Sequence, residues 1–498
     1  MKGIINIPDP NFKAYLVKSF DMDNDGEISY EEALTVKEIC CNNLSLSTIE
    51  GIEHFKELEI LDCHKNELKE IDVSRNIRLR ELRCNENELE ILDVSNNYEL
   101  EILACHFRNK LTSLNVSNNS KLTELDCNTN IITSIDVSKN IMLRKLSVDN
   151  NRLQNLDVSN NHELELLECN YNKIGKLDVS SNPKLREIQC YHNPLTSLDV
   201  SKNVELEKLD CGRNGLSFLE VSNNPELTLL VCEGNEIKEL DLRNNQNLIT
   251  LICSQNCLSD LFIYRNTSLK ELSCSYNVIT ELYLDCPVLT KLHCGHPILS
   301  VLDVQNCSQL ESLSCDENQL TSLDLCNNHL LRHLSCSHNQ LSTLETCNND
   351  ELKSLNCDNN RLNSIYFSRN LKLTSLSCQS NEIDILDLEQ NHDLVYLSFA
   401  DSYLTKVNLL NNPLLERIYC YQSLTGNYNI KILPESGSGD CSDNELRSLF
   451  VYHNSKSVRL NYRPDRLISI DVGEDVRSRE FDFDHDHLRR LDLSKKVE

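Results

Sequence analysis

The chain has 498 residues, of which 49 are Lys or Arg and 77 are Asp or Glu, so its formal net charge at neutral pH is −28. A chain this acidic repels nucleic acid and anionic lipid, which argues against DNA, RNA and bare membrane as partners. No segment reaches the roughly 18 consecutive apolar residues of a membrane-spanning helix.

Two helices with an acidic loop between them are predicted at the N-terminal end. Asp9 and Pro10 are suited to the cap and first turn of a helix over residues 11–20, and residues 30–39 also have a helical pattern. The stretch DMDNDGEISYEE, residues 21–32, matches the calcium loop D-x-D-x-D-G-x-I-x-x-x-E at every position.

This loop predicts one Ca²⁺ site, because Gly26 permits the sharp turn and Ile28 is the apolar residue that packs inward. The predicted ligands are the carboxylates of Asp21, Asp23 and Asp25, the backbone carbonyl of Glu27, Ser29 through water, and Glu32. The alternative is a solvated acidic turn. Because the end of a repeat array exposes core, we expect residues 1–38 to form a structural cap rather than a calcium sensor.

From this cap onward, the phrase L-x-x-L-x-C-x-x-N recurs, mostly every 21 residues. Residues 39–498 are therefore predicted to form about 22 coils, with a cysteine at 18 of the 22 equivalent positions. These ladder positions are Cys41, Cys63, Cys84, Cys105, Cys127, Val148, Cys169, Cys190, Cys211, Cys232, Cys253, Cys274, Cys294, Cys315, Cys336, Cys357, Cys378, Phe399, Cys420, Cys441, Tyr462 and Phe483.

The ladder cysteines are interpreted as reduced core residues. Val148 and Phe399 stand at the same position, and neither can replace a disulfide partner or a metal ligand. Free cysteine packs as a small apolar residue. Among the six remaining cysteines, Cys326 and Cys347 lie in adjacent coils and could pair or bind metal, although replacement of a surface serine is the simpler reading.

A 21-residue unit is too short to bury its own apolar face, so stacked units must share one core. Within L-x-C the leucine and cysteine share one face of a strand, and the stacked strands form a parallel sheet. The second half of each coil, such as LDVSNN at 92–97, forms the opposite wall. Asn66, Asn87, Asn130, Asn172, Asn193 and Asn214 are predicted to satisfy backbone groups at the turn after each strand.

The pattern over roughly residues 39–493 resembles leucine-rich repeats, and its cysteine ladder with L-D-V-S resembles bacterial surface proteins of the internalin and Bacteroidetes types. The resemblance implies an α/β solenoid with a right-handed superhelix, a parallel concave sheet as binding face, and a secreted or surface-anchored location. The segment MKGIINIPDPNF has no signal-peptide core, so a cytoplasmic protein and an exported protein whose signal is not part of this sequence stay open alternatives.

Irregular coils are expected at 284–294, which is one residue short and contains Pro287, and at 423–440, which loses the leucine pattern but is expected to keep its length. The acidic segment at 482–487 has metal-binding residue types, although a solvated turn is favoured there.

The positions that flank the ladder cysteines vary from coil to coil, whereas the D-V-S wall is monotonous. Tyr and Arg around an apolar centre are typical of protein interfaces. The alternative is that tyrosine and β-branched residues simply favour strand surfaces. The predicted partner-binding residues are Tyr171, Tyr191, His192, Arg213, Val231, Ile252, Tyr276, His293, Tyr419 and Tyr421.

Catalysis has little support. Cys105 lies beside His106 and Cys294 lies near His296, but both cysteines are ladder residues that point inward, away from the histidine. The sequence therefore favours a monomeric, non-enzymatic recognition protein that binds a protein or glycan ligand through its concave sheet. An intracellular scaffold or secreted effector, and a surface spacer without a specific ligand, are the alternatives.

Overall fold

The computed structural model describes residues 3–295, 297–399, 406–407, 411–412 and 414–421, and five strand segments beyond them at 431–432, 448–452, 459–460, 469–472 and 490–492. The chain divides into two compact units, Met1–Leu248 and Ile249–Glu498. We call these the first and second units and describe each by itself.

The first unit begins with the helix α1, Pro10–Phe20, whose N-cap Asp9 accepts hydrogen bonds from the backbone N–H groups of Asn11 and Phe12. The helix α2 has only four residues, Tyr30–Ala33. The prediction of a helix through residue 39 is wrong at its end, because Glu38–Cys40 forms a strand that pairs with the first regular coil.

Polar contacts attach this cap to the repeats. The Asp9 carboxylate accepts hydrogen bonds from the backbone N–H and hydroxyl of Ser47, at 2.9 and 3.0 Å. The backbone N–H of Cys40, on the outermost strand, donates to the Tyr15 hydroxyl at 3.0 Å. Because Phe12 and Leu16 are fully buried, α1 covers the open end of the core as well as part of the exposed strand edge.

The strands of the first unit are parallel, and each pairs with the strand of the next coil. A short 3-10 helix, Ile52–His54, lies in the second wall of the first coil. The ten strands are β1 Glu38–Cys40, β2 Ile60–Asp62, β3 Glu81–Arg83, β4 Ile102–Ala104, β5 Glu124–Asp126, β6 Lys145–Ser147, β7 Leu166–Glu168, β8 Glu187–Gln189, β9 Lys208–Asp210 and β10 Leu229–Val231.

The second unit has the same kind of architecture, with a principal row of parallel strands and a second wall on which further short strands form. The principal strands are β11 Thr250–Ile252, β12 Glu271–Ser273, β14 Lys291–His293, β16 Ser312–Ser314, β17 His333–Ser335, β18 Ser354–Asn356, β20 Ser375–Ser377, β22 Tyr396–Ser398, β24 Arg417–Tyr421, β26 Ser448–Tyr452, β28 Ser469–Val472 and β29 Arg490–Asp492. Those of the second wall are β13 Glu281–Tyr283, β15 Val301–Asp303, β19 Ile365–Tyr366, β21 Leu386–Asp387, β23 Lys406–Val407, β25 Lys431–Ile432 and β27 Arg459–Leu460.

The predicted parallel-sheet solenoid is thus confirmed in both units. At the short coil that contains Pro287, β12 pairs directly with β14, so the loss of one residue leaves the principal row intact.

The ladder cysteines of the described side chains, from Cys41 to Cys378, are all fully buried, and Val148 and Phe399 are 1 % exposed. Burial raises the pKa of these thiols, to about 12 for Cys84. The interpretation as core residues is confirmed for these positions, and a thiol that stays protonated is a poor nucleophile.

Two columns of buried asparagines join the coils. At the turn after β7, the Asn172 amide donates to the carbonyl oxygens of Cys169 at 3.2 Å and of Val148, one coil earlier, at 2.9 Å. In the second wall, the Asn182 amide donates to the carbonyl oxygens of Val158 and Asn161 at 2.9 and 2.8 Å. These amides satisfy carbonyl groups that the turns would otherwise bury unpaired.

The predicted ladder register after Cys420 is wrong. The strand partner of Cys420 is Val451 rather than Cys441, a step of 31 residues, and the partner of Val451 is Val472 rather than Tyr462. Residues 446–451, LRSLFV, carry the repeat phrase with valine at the cysteine position, which explains why the strand forms there. The expectation that the coil at 423–440 keeps its ordinary length is therefore wrong, because the step between the paired strands β24 and β26 is ten residues longer than 21.

Among the described residues, no helix is both long and apolar enough to cross a membrane.

We expect thiol labelling of the native protein to separate the cysteines by burial. The exposed thiols of Cys257 and Cys347 should react within minutes, whereas ladder thiols such as Cys190 should react only as the protein unfolds. The exposed thiols of Cys40 and Cys326 should react at an intermediate rate, because burial raises the pKa of Cys40 to about 11 and the hydrogen bond to Asp324 raises the pKa of Cys326. Mass spectrometry of peptides after timed labelling measures this for each cysteine. Rapid labelling of most ladder positions under native conditions would contradict the buried ladder.

Candidate functional site

The turn after each strand brings one side chain outward from an unusual backbone conformation. The second residue after the ladder cysteine has a positive φ in most coils, for example +52° at Tyr171, +57° at His192 and +49° at Arg213. A residue other than glycine in this left-handed region costs roughly 1–2 kcal/mol. Asn150, Gly234 and Asn359, which suit the conformation better, occupy the same position in other coils.

Four predicted partner-binding residues of the first unit come together on these turns, and we call them the tyrosine cluster: Tyr171, Tyr191, His192 and Arg213. The ring centroid of Tyr171 lies 5.4 Å from that of Tyr191 and 5.1 Å from that of His192. The guanidinium carbon of Arg213 lies 5.9 Å from the centroid of Tyr191, within the range of a cation–π contact. Tyr171 is 48 % exposed, so the cluster offers ring surface to solvent.

Two glycines that were not predicted as site residues make room for the cluster. A Cβ atom on Gly212 would lie 2.9 Å from Cδ2 of the Tyr191 ring, so this ring packs directly over the Gly212 backbone. A Cβ atom on Gly234 would lie 3.0 Å from Cγ of Arg213, so the Arg213 stem packs over the next coil in the same way. A comparison of the outward residues of adjacent coils could have identified this alternation of large and absent side chains.

A polar network beneath the rings holds the Tyr191 backbone. The Asp149 carboxylate accepts hydrogen bonds from the Asn170 backbone N–H at 2.6 Å and from its amide at 3.1 Å. The Asn170 side-chain oxygen then accepts the backbone N–H of Tyr191 at 2.7 Å, and its amide also donates to Gln189 at 3.1 Å. Burial raises the pKa of Asp149 to about 6, against the opposing effect of the hydrogen bonds from Asn170.

The remaining predicted partner-binding residues do not join this cluster by any described contact. Val231 is a half-buried outward residue of β10 in the same unit. Ile252, Tyr276 and His293 belong to the second unit, where Tyr276 is 53 % exposed. Tyr419 and Tyr421 lie in β24, but their side chains fall outside the described residues.

The acidic loop brings three predicted calcium ligands together. Asp21, Asp23 and Asp25 each offer a carboxylate oxygen, and these oxygens lie within 4.8 Å of one another. The backbone N–H of Gly26, at φ +83°, donates to Asp21 Oδ2 at 2.9 Å. Asp21 Oδ1 is buried without a hydrogen-bond donor, and a buried carboxylate oxygen beside two further carboxylates fits a divalent cation.

The other predicted ligands have partners within the protein. Glu32 forms a capping box with Ser29 and also accepts the Met22 backbone N–H at 2.8 Å. Hydrogen bonds from the Ser29 backbone and hydroxyl lower the pKa of Glu32 to about 2. The Glu27 carboxylate contacts Lys13 Nζ at 2.7 Å, which leaves its backbone carbonyl as the group that could bind a metal.

The loop also pairs with the start of the chain, since the Ile5 backbone N–H donates to the Ile28 carbonyl at 2.9 Å. The acidic segment at 482–487 lies outside the described residues, as does His296.

At the Cys–His pair, Cys105 is fully buried and burial raises its pKa well above the ordinary value. His106 Nδ1 instead lies 2.8 Å from Asp126 Oδ2. This arrangement gives no activated thiolate.

Comparison with known proteins gives similarity to solved structures only, because neither a protein-family model nor a curated protein matches the chain. The functional domain of InlJ from Listeria monocytogenes, which includes a cysteine ladder, is 31 % identical over 77 % of this chain and 83 % of that domain, with a TM-score of 0.66.

Two further structures share the fold at lower identity. YopM from Yersinia enterocolitica is 22 % identical over 90 % of this chain and 92 % of its own, with a TM-score of 0.55. The plant peptide hormone receptor RGFR1, solved in complex with RGF2, is 18 % identical over 94 % of this chain and 90 % of its own, with a TM-score of 0.66.

We expect Gly212→Ala to displace the Tyr191 ring, because the new methyl group would meet Cδ2 and Cε2 of that ring at 2.9 and 3.1 Å. Near-ultraviolet circular dichroism reports tyrosine packing in this tryptophan-free chain and should change, while stability falls by at most about 1 kcal/mol because the ring can move. The control is Gly175→Ala, where a Cβ atom would meet nothing within 4 Å. Identical spectra for the two variants would show that the ring does not pack on Gly212.

Proposed function

Because this chain belongs to the leucine-rich repeat proteins with a cysteine ladder that InlJ represents, we propose that it is a non-enzymatic recognition protein. Its ligand is a protein, which it binds on the outward face of its principal strands. In the first unit the tyrosine cluster, with the neighbouring Val231, forms the centre of that surface.

The observation that carries the proposal is the convergence of three aromatic rings and an arginine on consecutive coils. Larger residues such as Lys65 and Gln255 fill the equivalent left-handed position in most other coils, but Tyr171, His192 and Arg213 stand where some coils have Asn or Gly. Stability alone would favour those smaller residues. The Asp149–Asn170 network holds the backbone of Tyr191, and the rings of Tyr171, Tyr191 and His192 lie against one another. Such rings provide rigid surface at low conformational entropy, which suits protein recognition.

The fold of this chain is compatible with such a role, since the plant receptor of the same fold is in complex with RGF2. Buried, protonated ladder thiols resist oxidation. We therefore propose a secreted or cell-surface location, as the family resemblance implies, with an intracellular scaffold as the alternative.

We also propose that residues 21–32 bind one Ca²⁺ as a structural element of the N-terminal cap. Asp21, Asp23 and Asp25 would hold the ion, with the Glu27 carbonyl completing the set on the same loop. The buried, unpartnered Asp21 Oδ1 supports this assignment. Glu32 would join only if its carboxylate left the Ser29 capping box.

We predict that the combined substitutions Tyr171→Asn, His192→Asn and Arg213→Asn will weaken ligand binding at least tenfold without loss of stability. Asparagine tolerates the left-handed conformation, so the thermal midpoint should stay equal or rise. Cell-surface proteins captured on the immobilised wild-type chain would be identified by mass spectrometry, and the affinity of the purified ligand would then be measured for both chains by biolayer interferometry.

The matched control changes Lys65 and Thr129 to Asn, at the same positive-φ position in other coils of the first unit. This control should bind like the wild type. Equal affinity of the cluster variant and the wild type would refute the role of the cluster, and a chain that captures no ligand would favour the spacer alternative.

Calcium should raise the thermal midpoint of the first unit relative to a sample with chelator. Because only the folded loop gathers the three carboxylates, Ca²⁺ at a hundredfold excess over its dissociation constant would stabilise the folded state by about 2.7 kcal/mol. Differential scanning calorimetry measures the shift, and far-ultraviolet circular dichroism should show little change in shape.

The calcium effect should disappear in the variant with Asp21→Asn and Asp25→Asn. The control is Asp72→Asn in the second wall, where Asn115 fills the equivalent position naturally and makes the same turn hydrogen bond. Superimposable melting curves for the wild-type chain with Ca²⁺ and with chelator would refute the site.

A further inference from the structure

The second wall carries a structural aspartate in most coils, at the D position of the L-D-V-S phrase. In the second unit, Asp303 accepts the backbone N–H of Gln305 at 3.0 Å, and Asp324 accepts that of Cys326 at 3.0 Å. Asp387 likewise accepts the backbone N–H of Glu389 at 3.0 Å. The side chain thereby closes the turn by bonding the backbone two residues on, which is why this residue recurs.

Two consecutive coils of the second unit replace this aspartate with an exposed aromatic residue. Phe262 is 62 % exposed and Tyr283, at the same position in the next coil, is 60 % exposed. Neither ring can accept the turn hydrogen bond. Tyr264 follows on the same wall at 51 % exposure, so three rings form what we call the aromatic patch: Phe262, Tyr264 and Tyr283. The replacement of the turn-closing aspartate by solvent-exposed rings indicates that this surface has a binding function.

The charges around the aromatic patch define the partner it suits. The segments that carry these rings also contain Asp260, Glu281 and Asp285, and the basic Arg265, while Asp303 is the strand partner of Tyr283. The Tyr283 hydroxyl donates to Glu281 Oε2 at 3.1 Å, so carboxylate and ring lie in direct contact. The guanidinium carbon of Arg265 lies 5.9 Å from the ring centroid of Tyr264, which shows that a ring of this patch can accept a guanidinium group.

We propose that the aromatic patch is a second docking surface, which takes an arginine-containing basic segment of a partner protein. Guanidinium groups of the partner stack on the exposed rings of Phe262 and Tyr283, and the surrounding carboxylates bond their N–H groups. This surface lies on the second wall of the second unit, so it is independent of the strand-side binding proposed for the tyrosine cluster.

The test uses the full chain and a fluorescein-labelled peptide of alternating arginine and serine, with binding measured by fluorescence anisotropy at about 150 mM salt to limit non-specific attraction. The variant carries Phe262→Asp and Tyr283→Asp, which restores the residue of other coils and adds two negative charges. If the rings bind guanidinium, the affinity for the peptide should fall about tenfold. If only the charge of the surface attracts the peptide, the two added carboxylates should raise the affinity of the variant for it.

The matched control is Tyr366→Asp, the same substitution at the same repeat position in another coil of this unit, and it should leave the affinity no weaker. A peptide with citrulline in place of arginine keeps the flat shape without the charge and should not bind the wild type. Equal or tighter binding by the double variant would overturn the proposal. So would ring-dependent binding of a neutral glycan panel in place of the peptide, or a ring-dependent dimer in analytical ultracentrifugation.

Discussion

The fold depends on one recurring interaction, the hydrogen bonds of a buried asparagine amide to carbonyl groups at the turns of its own coil and the preceding one. Asn193 bonds the carbonyl oxygens of Cys190 at 3.2 Å and Cys169 at 2.9 Å, and its own oxygen accepts the Ile174 backbone N–H at 3.0 Å. A buried carbonyl left without a donor costs about 1–3 kcal/mol. Without these amides, the tight turns of every coil would contain buried carbonyl groups that have no hydrogen-bond donor.

Because the asparagine holds the turn, the preceding residue is locked into the left-handed region whatever its side chain is. Lys65, Asn150, Tyr171 and Gly234 all adopt this conformation at the same repeat position. The framework thus separates structure from recognition: backbone and buried columns define the coil, and the outward residue is free to vary. The tyrosine cluster in the first unit and the aromatic patch in the second are two places where outward positions carry aromatic rings.

The cysteine ladder follows from the same geometry. Each coil has one buried apolar position behind its strand, and this shared requirement for an apolar residue explains why Val148 and Phe399 can stand in place of cysteine while remaining 1 % exposed. The period of the repeat, the burial of its leucine and cysteine positions and the capped helix α1 could all be predicted from the sequence, since each is a local or strictly repeating feature. The register after Cys420 could not be predicted from the sequence. The 21-residue step places the next ladder position at Cys441, whereas the phrase LRSLFV at 446–451 places it at Val451, and only the strand pairing decides between the two.

The sequence by itself determined the solenoid, its ladder and the loop that gathers Asp21, Asp23 and Asp25, because a short period repeated many times leaves one way to bury the leucines. Tertiary structure alone decided how side chains from different coils meet. It placed the Tyr191 ring over Gly212, linked Asp149 to Tyr191 through Asn170, and kept Glu32 in a capping box with Ser29. These contacts depend on rotamers and distances between coils, which the order of residues along one coil does not specify.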